Sequence, residues 1–211
     1  MRRMLVVTAT VSVLLSVAGC GGSSGGADKS VAPSTALPPS ARSTEKPIFP
    51  ASDGPGGAER VTHGPVSLAV PPTFEQQGDA VKQSTSTTVT YGSTRREGTQ
   101  RVAIGVTWSN SKDGKSAKQE AQAFRGQLLD VEHVKDLRMV KVSWPGLQDA
   151  YQFAYTDHNV SPGMQTLVLM GEDAGGQYIS VTAKSPASLK APLQVESICG
   201  SLRLAKASSG T

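Results

Sequence analysis

Val102, Ile104, Val106 and Trp108 alternate with Ala103, Gly105 and Thr107. A period of two sends the two sets to opposite faces of a strand, and here one face is strongly apolar. That signature returns along most of the chain. Val66, Leu68 and Val70 alternate with Ser67 and Ala69, and Pro71-Pro72 ends the strand. Thr85 to Tyr91 is rich in Thr and Val. Leu137, Met139 and Lys141 share one face, with Val140 and Val142 on the other. Apolar residues on both faces suit a central strand or one flanked by helices. Pro145-Gly146 is a turn signal, after which Tyr151, Phe153 and Tyr155 alternate with Ala150, Gln152 and Ala154. Met164 to Met170 is a further strand, and Gly175-Gly176 folds it back onto Tyr178 to Ala183.

Two stretches follow a helical period instead. Ser116 can cap a helix, and Gln119 stands where a capping box needs it. Ala117, Ala121, Phe124, Leu128 and Val131 then form one apolar stripe. Near the end, Val195, Ile198, Cys199 and Leu202 fall on one face of a closing helix, with Pro192 in or before its first turn. Sequential strands joined by short turns, with a helix between and a helix after, predict an α+β fold. The expectation is an antiparallel sheet of about six strands flanked by helices. The short Gly-rich connections exclude a Rossmann-type series of crossovers. This domain is expected over residues 61–205, with a short flexible tail at 206–211.

The first part of the chain cannot contribute a core. Residues 21–60 are rich in Gly, Ser, Ala, Thr and Pro, and Gly21 to Gly26 has the composition of a flexible linker. Such a segment buries too little surface to offset the entropy of ordering it. Ahead of it, Arg2 and Arg3 precede an apolar stretch from Met4 to Val17. That stretch has the length of a signal-peptide core and is short for a membrane span. Val17-Ala18-Gly19-Cys20 resembles the bacterial lipobox. In that pattern a diacylglycerol joins the cysteine sulfur by a thioether, and a peptidase cuts before the modified residue. The expected organisation is a signal peptide at 1–19, cleaved between Gly19 and Cys20, then a lipidated Cys20 and tether at 20–60. Two or more acyl chains, palmitate among them, give stable anchoring. The protein is therefore expected at the cell membrane, on its extracytoplasmic face. Ser, Thr and Pro in the tether could carry sugars.

Charge and cysteines narrow the partners. The chain has 21 Lys and Arg against 17 Asp and Glu. Arg2 and Arg3 leave with the signal peptide, and no basic cluster recurs along a predicted helix face. A nucleic-acid surface needs concentrated positive charge, so nucleic acid is not an expected partner. With Cys20 claimed by lipid, Cys199 stands alone on an apolar helix face, and no intramolecular disulfide is expected.

The element order and some local sequence resemble the LpqN/LpqT-like lipoproteins of actinobacteria, whose domain has the PsbP-like fold. The residues that carry the likeness are Val66 to Phe74, the Pro145-Gly146 turn into Ala150 to Thr156, and Val195 to Leu202. The resemblance covers about Val61 to Leu204. Aromatics typical of the family's opening strand are reduced here to Phe74. The resemblance implies a PsbP-like α/β/α sandwich and a non-enzymatic envelope protein that contacts partners or envelope lipids. It supplies no catalytic residues.

The chemistry-bearing residues are scattered. His63, His133 and His158 lie far apart in sequence, whereas a zinc site needs three or four converging ligands, so no metal or cofactor is expected. Ser109-Asn110-Ser111-Lys112 matches the S-x-x-K string of penicillin-interacting enzymes, but Ser109 ends a strand and no K-T-G or S-D-N string follows. No G-x-S-x-G, P-loop or strand-linked G-x-G-x-x-G is present. A Ser–His–Asp triad assembled from distant positions stays open. Trp108, Trp144, Tyr151, Phe153 and Tyr155 supply most of the aromatic surface. They could line a groove for an acyl chain, a glycan or a partner, although core packing is the commoner role for strand aromatics. The expected function is a membrane-anchored, monomeric accessory or adaptor domain that binds an envelope protein. The alternatives are a lipid or glycolipid carrier with an apolar cavity between sheet and helix, and an envelope hydrolase.

Overall fold

The computed structural model describes residues 46–110 and 116–205. The signal peptide, Cys20, most of the tether and the C-terminal tail lie outside the described residues. In chain order the elements are β1 (Glu59–His63), β2 (Val66–Val70), β3 (Phe74–Gln76), β4 (Val81–Lys82), β5 (Ser86–Glu97) and β6 (Gln100–Ser109). Then come α1 (Ala117–Leu129), β7 (Val134–Trp144), β8 (Leu147–Asp157), β9 (Met164–Glu172) and β10 (Tyr178–Pro186). The chain closes with α2 (Ala187–Lys190), α3 (Val195–Gly200) and β11 (Arg203–Leu204).

The result is an α+β fold dominated by one antiparallel sheet. Its order is β3-β5-β6-β10-β9-β8-β7, with β4 also paired to β5. That is eight strands, against the six or so that periodicity predicts. β5 and β6 form a hairpin, and α1 then carries the chain to the far edge. The meander β7-β8-β9-β10 walks back until β10 meets β6. Turn chemistry fixes the connections. Gly146 takes φ +82° between β7 and β8, and the Asp173 carboxylate accepts the Gly175 and Gln177 amides between β9 and β10.

One element differs from the sequence reading, and a second takes the helix-flanked of the two places left open for it. β2 does not join the large sheet. It pairs with β1 on one side and β11 on the other, making a second, three-stranded sheet. β7 is an edge strand, with α1 against one of its faces. Two register shifts, a positive φ at Asp136, and Lys135, Arg138 and Lys141 guard that edge. Bulges and charges of this kind discourage pairing with another chain.

The faces of the large sheet bear two cores. One joins Val89, Tyr91, Val102, Ile104, Val106, Leu167, Leu169, Ile179 and Val181 to β2, to Leu189 and Leu193, and to Val195, Ile198 and Cys199 of α3. The other is smaller: Tyr151, Phe153, Val168 and Met170 pack against Ala121, with Phe124 beside them. α1 carries the predicted capping box, Ser116 with Gln119. Ala117 and Ala121 are buried and Phe124 and Leu128 half-buried.

Residues 46–58 fall in the region that composition assigns to the tether, yet they pack as a strap on the larger core. Phe49 is fully buried and meets Trp144 edge-on, ring centroids 5.9 Å apart. Gln152, also fully buried, acts as a substitute peptide group. Its Oε1 accepts the Ile48 amide at 2.8 Å, and its Nε2 donates to the Phe49 carbonyl at 2.7 Å. Arg203 donates to the Ser52 carbonyl and Arg60 to that of Asp53. The strap runs so close to α3 that a Cβ at Gly200 would stand 2.5 Å from the Pro50 carbonyl oxygen. The folded unit thus begins well before residue 61. A single Ile48-Phe49 pair among Pro and Ser has no period, and its partner lies about a hundred residues away.

Candidate functional site

The five aromatics divide between the two faces of the sheet. Trp108 and Trp144 belong to the larger core. Trp144 is 5% exposed and donates from Nε1 to the Leu202 carbonyl at 3.2 Å. The edge of the Trp108 ring lies against Gly64, where a Cβ would come within 2.9 Å of it. Tyr151, Phe153 and Tyr155 alternate to the opposite face beneath α1, where Phe124 meets Phe153 edge-on at 5.1 Å and Tyr155 at 6.3 Å. The structure therefore brings the five together in no common groove. On the α1 face these rings fill the space between helix and sheet.

The titratable candidates are equally dispersed. His63 Nε2 is hydrogen-bonded to the buried Tyr91 hydroxyl. Burial lowers the pKa of the imidazole and raises that of the phenol. His133 and Asp157 stand 3.4 Å apart at the surface. The backbone amide of His158 donates to the His133 carbonyl. Ser109 Oγ accepts the Tyr178 amide at 3.1 Å, so it helps to start β10, and Lys112 lies outside the described residues. Cys199 is free and fully buried, its pKa pushed up to about 12 by burial. A thiol so held is a poor nucleophile. Among the described residues no three His, Cys, Asp or Glu side chains converge as a metal site would require.

What the fold leaves accessible is part of one sheet face. α1 lies over β7, β8 and β9, while the same face of β5, β6 and β10 carries Thr88, Thr90, Ala103, Gly105, Thr107, Thr182 and Lys184, all half-buried. The register sets these in rows: Thr88 beside Thr107 beside Ser180, and Thr90 beside Gly105 beside Thr182. The Thr88 and Thr107 hydroxyls bond to each other at 2.8 Å. The floor is shallow because Gly105 and Ala103 are small. Elsewhere, Pro50, Ser52, Lys190, Gln194 and Glu196 border an open depression of about 470 Å³ between the strap and α2–α3. Lys190 and Glu196 pair with each other there at 2.7 Å. Sequence reasoning passed over the Thr face because alternating Thr and Gly reads simply as the polar side of a strand.

Taken together, the topology defines an antiparallel α+β protein whose surface is a stronger binding candidate than its interior. The fold has a counterpart among solved structures. The chain is similar to LpqN of Mycobacterium tuberculosis, described as involved in cell envelope biogenesis. The identity is 12%, the match covers 69% of this chain and 89% of that one, and the TM-score is 0.50. At that identity the likeness is one of fold. No protein-family model and no curated protein matches the sequence.

Proposed function

We propose that this protein is a lipid-anchored, extracytoplasmic accessory domain that works without catalysis by binding a protein of the cell envelope. The observation that carries the reading is the filled space between α1 and the sheet. Phe124, Phe153, Tyr155, Val168 and Met170 occupy the place where a carrier would hold an acyl chain. Binding through the exterior suits an adaptor better than a carrier. The lipobox pattern ending at Cys20 supports the anchor, and the fold shared with LpqN, a protein of cell envelope biogenesis, supports the setting. Anchoring confines the domain to the membrane surface and raises its concentration near other envelope proteins.

The test is crosslinking in intact cells followed by affinity purification. One envelope protein should be recovered reproducibly with the wild type and lost with Cys20→Ser, which should also leave the membrane fraction. Absence of any reproducible partner would reject the adaptor. Native mass spectrometry showing a stoichiometric co-purified lipid would replace it with the carrier.

A further inference from the structure

The open half of the large sheet carries charges that its folding does not require. Arg96 and Arg101 are direct partners across β5 and β6. Like charges set opposite one another weaken a sheet. Lys184 on β10 pairs with Ala103 and is therefore a diagonal neighbour of Arg101 on the same face. Among the described residues none of the three cations joins an ion pair. Among the described residues the Arg101 side chain donates to a neutral acceptor, Gln77 Oε1, at 2.6 Å. Gly92 makes room for this, since a Cβ there would stand 2.8 Å from the Arg101 Cζ.

Two of the nearby carboxylates are engaged elsewhere. Glu97 accepts from the Ser188 hydroxyl. Glu120 of α1 bears on Tyr178. Glu75 shares the face and is the cross-strand neighbour of Gly92, over which the Arg101 guanidinium lies, yet Glu75 and Arg101 form no ion pair among the described residues. Lys184 stands three strands from Glu75, roughly 14 Å at ordinary strand spacing. Away from the cations the face turns to hydroxyls, and at its far margin Val81, 59% exposed, stands opposite Thr88.

A face bounded on one side by α1, with cations outside any ion pair at one end, hydroxyls across the middle and an exposed aliphatic side chain at the margin, matches the chemistry of a bilayer interface. We propose that this face docks onto anionic phospholipid headgroups of the membrane that carries the anchor. Phosphates meet Arg96, Arg101 and Lys184, and headgroup hydroxyls meet Thr90, Thr107 and Thr182. The proposal rests on the lipid anchor only for proximity. The chain from Cys20 to Lys46 spans at most roughly 90 Å, which lets this face come down onto the bilayer. Docking turns α2, α3 and the small sheet outward, where an envelope protein can reach them.

The test uses the full mature chain with Cys20→Ser, so that no acyl group contributes. Its partition is measured onto phosphatidylcholine vesicles with and without about one third phosphatidylglycerol. Binding should require the anionic lipid and fall steeply with salt. Arg96→Gln and Lys184→Gln should each lower the partition constant about fivefold, and together about 25-fold. Lys118→Gln with Arg125→Gln, on α1, should change it less than twofold, and circular dichroism should show every variant folded. Equal binding to neutral vesicles, an unaffected Arg96/Lys184 double variant, or an equal loss from the α1 pair would each overturn the proposal. Anionic binding that emerges only after residues 21–40 are deleted would also overturn it, by identifying the tether as the occupant. None of these outcomes depends on acylation or on a protein partner.

Discussion

Two neighbouring rows across the large sheet show how differently its faces are built. Val89, Val106, Val181, Leu169 and Gln152 lie side by side in register, each at most 1% exposed. One residue along, Thr90, Gly105, Thr182, Val168 and Phe153 form the opposite row. There burial begins only at Val168 and Phe153, where α1 arrives. The first row is closed by the small sheet, by α2 and α3, and by the strap. One closed face supplies most of the hydrophobic stabilisation, since the effect scales with apolar area removed from water. The other face is free to be polar, and that freedom is what a binding surface needs.

If the closed face carries the stability, its variants should cost most. Phe49→Ala removes a fully buried ring and should destabilise by about 3–5 kcal/mol in urea unfolding. It should also open residues 46–58 to protease. A cost below 1 kcal/mol would mean that the strap is ornamental. Gln152→Leu keeps the volume but strands the Ile48 amide and the Phe49 carbonyl, at about 1–3 kcal/mol. Ser116→Ala removes the cap of α1 and should cost about 1 kcal/mol.

The pH dependence sharpens the contrast in another way. Burial lowers the folded pKa of His63 below its ordinary value. Below about pH 6.5 the unfolded chain therefore binds more protons than the folded one. Stability from this group is complete above that pH and declines as pH falls through the lowered folded value. His63→Gln should flatten the melting-temperature profile across that window. Smallest of all, Thr182→Ala on the open face should stay within about 0.5 kcal/mol. A loss of several kcal/mol there would show that the face belongs to the core.

The parts of this fold that could be read from sequence are those whose signal is local. The alternation of β6 and β8, the Pro145-Gly146 turn and the capping box of Ser116 and Gln119 each declare themselves within a few residues, and each is in place. The parts that could not be read depend on distant partners. β1 has a mostly exposed burial pattern and exists because β2 lies beside it. β11 is two residues long and depends on Val66 and Ser67. Apolar residues on both faces of β7 were compatible with a central position, yet the strand is at the edge, because α1 reaches out to cover one face. For the site, the aromatics were the conspicuous residues, and they serve packing. The Thr face could not be recognised until register set its strands together.

Gln152 also determines how the body responds to a pull. Any tension applied at residue 46 reaches the fold through Ile48 and Phe49. They are gripped by one carboxamide from the middle of β8 and by the burial of the Phe49 ring in the larger core, edge-on to Trp144. No continuous ladder of backbone bonds shares that load. The strap is thus a mechanical fuse: under load its first residues would peel first, while the eight-stranded sheet stays whole.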